Sequence, residues 1–240
     1  MANETSGIAK HRVVSHDEWA AARTAFLAKE KEFTRLRDEL AEQRRDLPWE
    51  AITKEYVFDG PNGKVTLREL FRGRSQLVVY HFMFDPSWDA GCPHCSRWAD
   101  SFNGAIVHLN QRDVTMVAIS RAPFQKLAAY RTRMGWTFEW FSAFETDFNY
   151  DFQASFKPDE VAAKKAFYNF TVQDPRNPQR EGISVFYRDT AGGLFHTYST
   201  YARGIEPMNV DYQYLDLVPN GRDENGRGPF WVRRHDEYGR

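Results

Sequence analysis

The 240-residue chain contains two cysteines, three positions apart in Cys92-Pro93-His94-Cys95. Ahead of them Leu77–Phe84 (LVVYHFMF) is an apolar run without polar alternation, which predicts a strand covered on both faces. Behind them Trp98, Phe102, Ile106 and Leu109 follow a helical spacing. The pair is therefore expected where a buried strand gives way to a helix. There the unpaired N–H groups and the helix dipole favour an anion, so the Cys92 thiol should ionise easily. Pro93 suits the first helical turn, where its missing N–H has no partner to lose. A protonated His94 would add a positive charge beside the thiolate. Cys95, one turn on, is within reach of a disulfide and is expected to be the more buried sulfur. Thiolate attack, a mixed disulfide and closure by the second sulfur is the chemistry of such a pair.

Two other readings of the same pair compete: a structural pair, or half of a metal site. A closed zinc site needs four ligands, and none of His81, His94, His108 or His196 stands at ligand spacing from it. Strand-to-helix context favours the redox dithiol, with no metal. Neither a G-x-G-x-x-G nor a G-x-x-x-x-G-K-[ST] pattern occurs, so no organic cofactor is expected.

Composition narrows the setting. Lys and Arg number 32 against 33 Asp and Glu, so no basic surplus is available to displace counterions from nucleic acid. The longest apolar run is far short of the roughly 20 residues a membrane helix needs, so no membrane span is expected. Met1–His11 is polar and lacks the apolar core of a secretion signal, which makes the cytoplasm the expected compartment.

The elements that must hold the dithiol can be read in order. Ser15-His16-Asp17-Glu18 is a capping box opening a charged helix to about Arg45. Its apolar positions Trp19, Phe26, Phe33, Leu36 and Leu40 form one narrow stripe, suited to packing on its own domain or to a coiled-coil seam in a homodimer. Lys54–Phe58 and Lys64–Leu67 flank a turn-rich run and predict a hairpin, with a second capping box at Thr66–Glu69. After the dithiol come strand Val114–Ile119, a helix from Pro123 to Met134, strand Thr137–Phe141 and a helix over Val161–Phe167. Strands Ile183–Tyr187 and Leu194–Tyr198 form a hairpin, followed by a last helix over Pro207–Leu217. These predict an N-terminal helical arm (1–50), an α/β domain (51–218) and an extended C-terminal tail (219–240). The domain is a mixed β-sheet flanked by helices.

This order, with the entry sequence Tyr56–Phe84 leading to Cys92–Cys95, resembles the thioredoxin-like superfamily, and within it the peroxiredoxin-like branch. More closely, the chain resembles an uncharacterised bacterial family of that superfamily known as a domain of unknown function. The segments that carry the likeness are Tyr80–Phe84 (YHFMF), Gly91–Cys95 (GCPHC), Ser120–Pro123 (SRAP), Met134–Trp136 (MGW), Asp147–Phe152 (DFNYDF), Ser184–Arg188 (SVFYR) and Thr197–Gly204 (TYSTYARG). The resemblance implies a thioredoxin-like α/β fold with an N-terminal helix and a β-hairpin extension.

It further implies a thiol–disulfide oxidoreductase with Cys92 as nucleophile and Cys95 as resolving thiol. Protein or small-molecule thiols and disulfides would be its partners. Members of the superfamily carry a cis-proline facing the dithiol; here that stretch is Glu181-Gly182-Ile183-Ser184-Val185, which places Ile183 at that position. A thiol peroxidase is the second activity the likeness suggests, with Arg121 beside Cys92 lowering its pKa, and Trp88 or Asp89 near where a hydroxyl would stand. The competing class is an interaction module without redox turnover. Asp85 and Trp88, in the loop before Cys92, are candidates for a substrate groove. His81, inside the central strand, reads as a core histidine. Tyr198, Tyr201 and Arg203 could reach the dithiol or stabilise the fold. The Trp231–Tyr238 tail could tie down an end or bind a second subunit.

Overall fold

A computed structural model describes residues 11–239, so Met1–Lys10 of the polar N-terminal run fall outside it. The described chain divides into two compact units: residues 11–48 with 215–223, and residues 49–214 with 224–239.

The first unit is built on α1 (His16–Arg45). The Ser15 hydroxyl accepts from the Glu18 N–H at 3.3 Å, and the Glu18 carboxylate accepts from the Ser15 N–H at 3.1 Å. Asp17 and Glu18 in the first turn and Arg44 and Arg45 in the last complement the helix dipole. No residue of α1 is buried.

The second unit is organised by an eight-stranded mixed sheet. Its strands in chain order are β1 (Glu50–Ala51), β2 (Val57–Gly60), β3 (Gly63–Thr66), β4 (Gln76–His81), β5 (Val114–Ser120) and β6 (Trp140–Ser142). A separate two-stranded ribbon, β7 (Ala166–Tyr168) with β8 (Thr171–Gln173), precedes the last two sheet strands, β9 (Gly182–Arg188) and β10 (Leu194–Tyr201). Across the main sheet the order is β1-β10-β9-β4-β5-β6-β2-β3, with β4–β5 and β5–β6 parallel and the other pairs antiparallel. The helices are α2 (Pro93–Ala99), α3 (Phe102–Leu109), α4 (Phe124–Arg133), α5 (Phe148–Asp151), α6 (Pro158–Ala163) and α7 (Val210–Leu215). The mixed α/β sheet flanked by helices, with its central strand buried on both faces, is the arrangement the order of elements predicted.

Alternation along the central strand sorts its side chains into two cores. Tyr80, Phe82 and Phe84 enter the core that holds Cys95, with Phe102, Trp136, Phe138 and Trp140. Leu77 and Val79 enter the other, with Phe58, Phe141, Phe148 and Phe186. His81 belongs to this second side: it is fully buried and stacks on Phe148 at 5.5 Å. Its Nε2 is 2.8 Å from the Ser184 hydroxyl, which lies 2.9 Å from the Ser199 hydroxyl, itself 2.7 Å from His196 Nε2. The expected core histidine is thus the inner end of a polar chain that runs between β9 and β10.

Several boundaries differ from expectation for local reasons. The helix behind the dithiol breaks at Asp100–Ser101, where the Ser101 hydroxyl takes the Trp98 carbonyl at 2.8 Å and competes with the helical ladder. Residues 137 and 138 do not join β6, because their N–H groups donate to Asn103 Oδ1. The helix expected through Phe167 stops at Lys164, which is left-handed (φ 54°). Ala166 and Tyr168 then face inward and Phe167 outward, the period of a strand. The last helix shortens to α7, since Ala202–Met208, with Pro207 inside it, forms 3-10 turns instead. The tail is a run of turns rather than an extended strand, with Gly221, Gly226 and Gly228 at positive φ and Val232 buried.

Candidate active site

Cys92 is the N-cap residue of α2 and Pro93 its first helical residue. The backbone of Met83, just beyond β4, holds both sulfur-bearing residues. Its carbonyl accepts from the Cys92 N–H at 3.1 Å, and its N–H donates to Cys95 Sγ at 3.5 Å. Cys92 is half-buried, Cys95 is buried, and both are free thiols. The requirement on the sequence is a strand end two residues past His81 and a loop that returns to it. Lys126 secures that loop by donating to the carbonyls of Pro86 (2.8 Å) and Trp88 (2.9 Å).

The two sulfurs are driven apart electrostatically. The Cys95 thiol donates to the Cys92 sulfur and holds it below the ordinary thiol value. Burial opposes this, and the backbone N–H groups of Cys95 and His94 add to the lowering. Cys95 moves the other way, pushed well up by burial and then by its bond to Cys92 and the charge there. Glu181 raises both sulfurs through its own charge. Tyr80, from β4, lies in the same core as Cys95 and offsets part of the rise.

His94 acts differently from the sequence expectation. Its ring is shifted below the usual histidine value, first by burial and then by the charge of Arg97, which favours the neutral form. The contribution of His94 to Cys92 is its backbone N–H, not a positive ring. The Arg121 guanidinium lies over the Tyr150 ring, 4.5 Å from the centroid. Hydrogen bonds from Cys95 and the first turn of α2, rather than a nearby arginine, lead the lowering of Cys92. Asp85 is spent on the loop, with Oδ1 accepting from the Ser87 N–H (3.0 Å) and hydroxyl (2.7 Å), and Oδ2 from Gln179 (3.1 Å). Trp88 and Cys92 both pack, half-buried, against the core that contains Cys95. Ile183 pairs with Tyr80 across β9–β4 and sits in that core, and no cis peptide bond occurs among the described residues. The Tyr201 hydroxyl donates to the Phe152 carbonyl at 3.0 Å. Arg203 pairs with Glu206 at 2.9 Å.

Four groups that sequence reasoning missed complete the surroundings. Arg234, from the tail, donates through Nη2 to the Gly91 carbonyl at 2.8 Å and through Nε to the Tyr130 hydroxyl at 2.8 Å. That hydroxyl is 2.8 Å from the Ser96 hydroxyl, which donates to the Cys92 carbonyl at 2.9 Å. One continuous network thus joins the tail, α4 and α2 around Gly91 and Cys92. Arg97 lies between the rings of Tyr212 (4.3 Å) and Trp231 (5.4 Å), tying the tail to the same helix. Only the Trp231–Tyr238 tail, read as tying down an end, gave any signal of this. Among the described residues no group of three or more His, Cys, Asp or Glu is placed to hold a metal ion, and no helix is long and apolar enough to cross a membrane.

Gly91 is where the clamp is least tolerant. A Cβ there would meet Phe82 Cε1 at 2.7 Å and Tyr130 Cε1 at 2.9 Å, two rings fixed in the aromatic core. Gly91→Ala is expected to cost about 2 kcal/mol by forcing those rings or the loop aside. Urea unfolding reads this directly; a midpoint equal to wild type would mean the loop yields without cost.

Comparison with solved structures finds peroxiredoxins at low identity. The peroxidoxin BcpB of Mycobacterium tuberculosis is 13% identical over 68% of this chain and 93% of that one, with a TM-score of 0.45. A cysteine-to-serine mutant of Xanthomonas campestris peroxiredoxin Q is 11% identical over 69% and 97%, with a TM-score of 0.46. The mitochondrial 2-Cys peroxiredoxin of Plasmodium falciparum is 13% identical over 70% and 92%, with a TM-score of 0.40. No curated protein matches the chain in sequence. Residues 8–238 match the family described as a bacterial protein of unknown function, DUF899, and the chain belongs to that family.

Proposed function

We propose that the chain is a thiol–disulfide oxidoreductase working through Cys92 and Cys95. The observation that carries this reading is the opposite tuning of two adjacent sulfurs: Cys92 lowered and half-buried, Cys95 raised and buried. A nucleophile that meets substrate and a resolving thiol held in reserve need this asymmetry.

In the reducing direction the Cys92 thiolate attacks one sulfur of a substrate disulfide. The substrate S–S bond breaks, its second sulfur leaves as a thiolate and takes a proton, and a mixed disulfide forms on Cys92. The charge on Cys92 is then gone, and with it one of the causes that hold Cys95 protonated. Cys95 releases its proton and attacks the Cys92 sulfur, forming the Cys92–Cys95 disulfide and expelling the second substrate thiol. The substrate gains two electrons and the dithiol loses two. A second dithiol protein or glutathione restores the reduced pair.

The test is the pH dependence of Cys92 alkylation by iodoacetamide in the reduced protein, located by mass spectrometry. The reading expects a midpoint below the ordinary thiol value of ~8.5. A midpoint at or above it leaves no activated nucleophile and favours an interaction module without turnover.

A further inference from the structure

The N-terminal helix carries large apolar side chains at heptad spacing. Trp19, Phe26, Phe33 and Leu40 recur every seven residues along α1, with Leu36 one position row away. These five side chains remain between 48% and 61% exposed, an unusual outlay of large apolar surface on one helix. With Trp19, Phe26, Phe33 and Leu40 in the a positions of a heptad, the d positions are Ala22, Lys29, Leu36 and Gln43.

The flanking rows say what would cover this stripe. The g positions are Glu18, Ala25, Glu32 and Glu39, and the e positions are Arg23, Glu30, Arg37 and Arg44. In a parallel two-stranded coiled coil each g residue faces the e residue five positions on in the other strand. For two copies of this helix the facing pairs are Glu18–Arg23, Ala25–Glu30, Glu32–Arg37 and Glu39–Arg44, so three of four join opposite charges and none joins like charges. In a fully overlapped antiparallel pair e faces e and g faces g, which sets Arg23 against Arg44 and Glu18 against Glu39 and leaves Glu30–Arg37 as the one set of opposite charges. The single acid of the e row, Glu30, stands next to Lys29, the charged interruption of the d row, and these would meet across the seam. Within one chain Arg23 pairs with Glu30 at 2.6 Å, so the central and last heptads supply the cleaner test.

From this charge complementarity we infer that the exposed face of α1 is a parallel coiled-coil interface with a second copy of the same chain. The interface is independent of the redox reading and stands or falls on its own measurement. Light scattering on the full chain during gel filtration should give twice the 28.0 kDa chain mass. The double variant Arg37→Glu/Arg44→Glu and the double variant Glu32→Arg/Glu39→Arg should each run as monomers while retaining wild-type helical circular dichroism. An equimolar mixture of the two should recover the dimer mass, because each then offers the charge the other lacks. A monomeric wild type, a dimer that survives both replacements, or a mixture that stays monomeric overturns the inference. Phe33→Glu, placed in the a row, gives a second readout and should also dissociate the dimer.

Discussion

Cys92→Ser is expected to lower disulfide-reductase turnover by at least about a thousand-fold, the scale seen when a covalent nucleophile is removed from an otherwise intact site. The serine keeps the helix N-cap position, and the Cys92 backbone contacts to Met83 and Ser96 do not involve the side chain. Stability should therefore stay near wild type, which separates a chemical loss from an unfolding one. Cys95→Ser should behave differently. Cys92 would still attack, although without the sulfur bond that leads its lowering, and the mixed disulfide would have no resolving partner. Mass spectrometry after incubation with a disulfide substrate should show that adduct accumulating on Cys95→Ser and absent from Cys92→Ser. Equal turnover in wild type and Cys92→Ser would remove the enzyme altogether, and an adduct on Cys95 would reverse the assigned roles.

A second large effect is expected from acid. Burial depresses His81 from the ordinary value of 6.5 to about 4, with a hydrogen bond to Asn149 opposing the shift and the charge of His196 adding to it. The folded protein therefore binds fewer protons than the unfolded chain between those two values, and stability must fall as pH drops through that window. The loss begins near pH 6.5 and is complete below about 4, amounting to roughly 3 kcal/mol on the linkage relation. Asn149 Oδ1 can only accept, so the Nδ1 proton points to it and Nε2 accepts from the Ser184 hydroxyl. Protonation of Nε2 would face that hydroxyl with a second donor. Comparing urea unfolding of wild type and His81→Phe at pH 7 and pH 4 isolates the effect from carboxylate titration common to both. The gap between the two proteins should shift by about 3 kcal/mol in favour of the variant at pH 4. Parallel stability–pH curves would show that His81 does not carry this linkage.

What the sequence made legible was whatever is enforced locally. Leu77–Phe84 had no alternation because β4 is covered on both faces, and the capping boxes at Ser15 and Thr66 needed only neighbours three residues away. The position of Cys92 at a helix start followed from the same local grammar. The surroundings of the sulfurs did not, because they come from distant chain. Glu181 precedes β9, Arg234 lies in the tail, and Tyr130 is on α4. Burial leads the lowering of the His94 ring, and no spacing rule reports burial of a residue in a loop-to-helix turn. The cation–ring contact of Arg121 was hidden for a related reason: which ring a long side chain settles on depends on what packs there, and Tyr150 arrives from α5.

The contact between Arg234 and Gly91 joins residues 143 positions apart. During synthesis both sulfurs therefore leave the ribosome long before the guanidinium that steadies their loop. A polypeptide halted anywhere between the two would display the dithiol without its clasp, and a peptide fused close behind Arg234 would crowd the closing step itself.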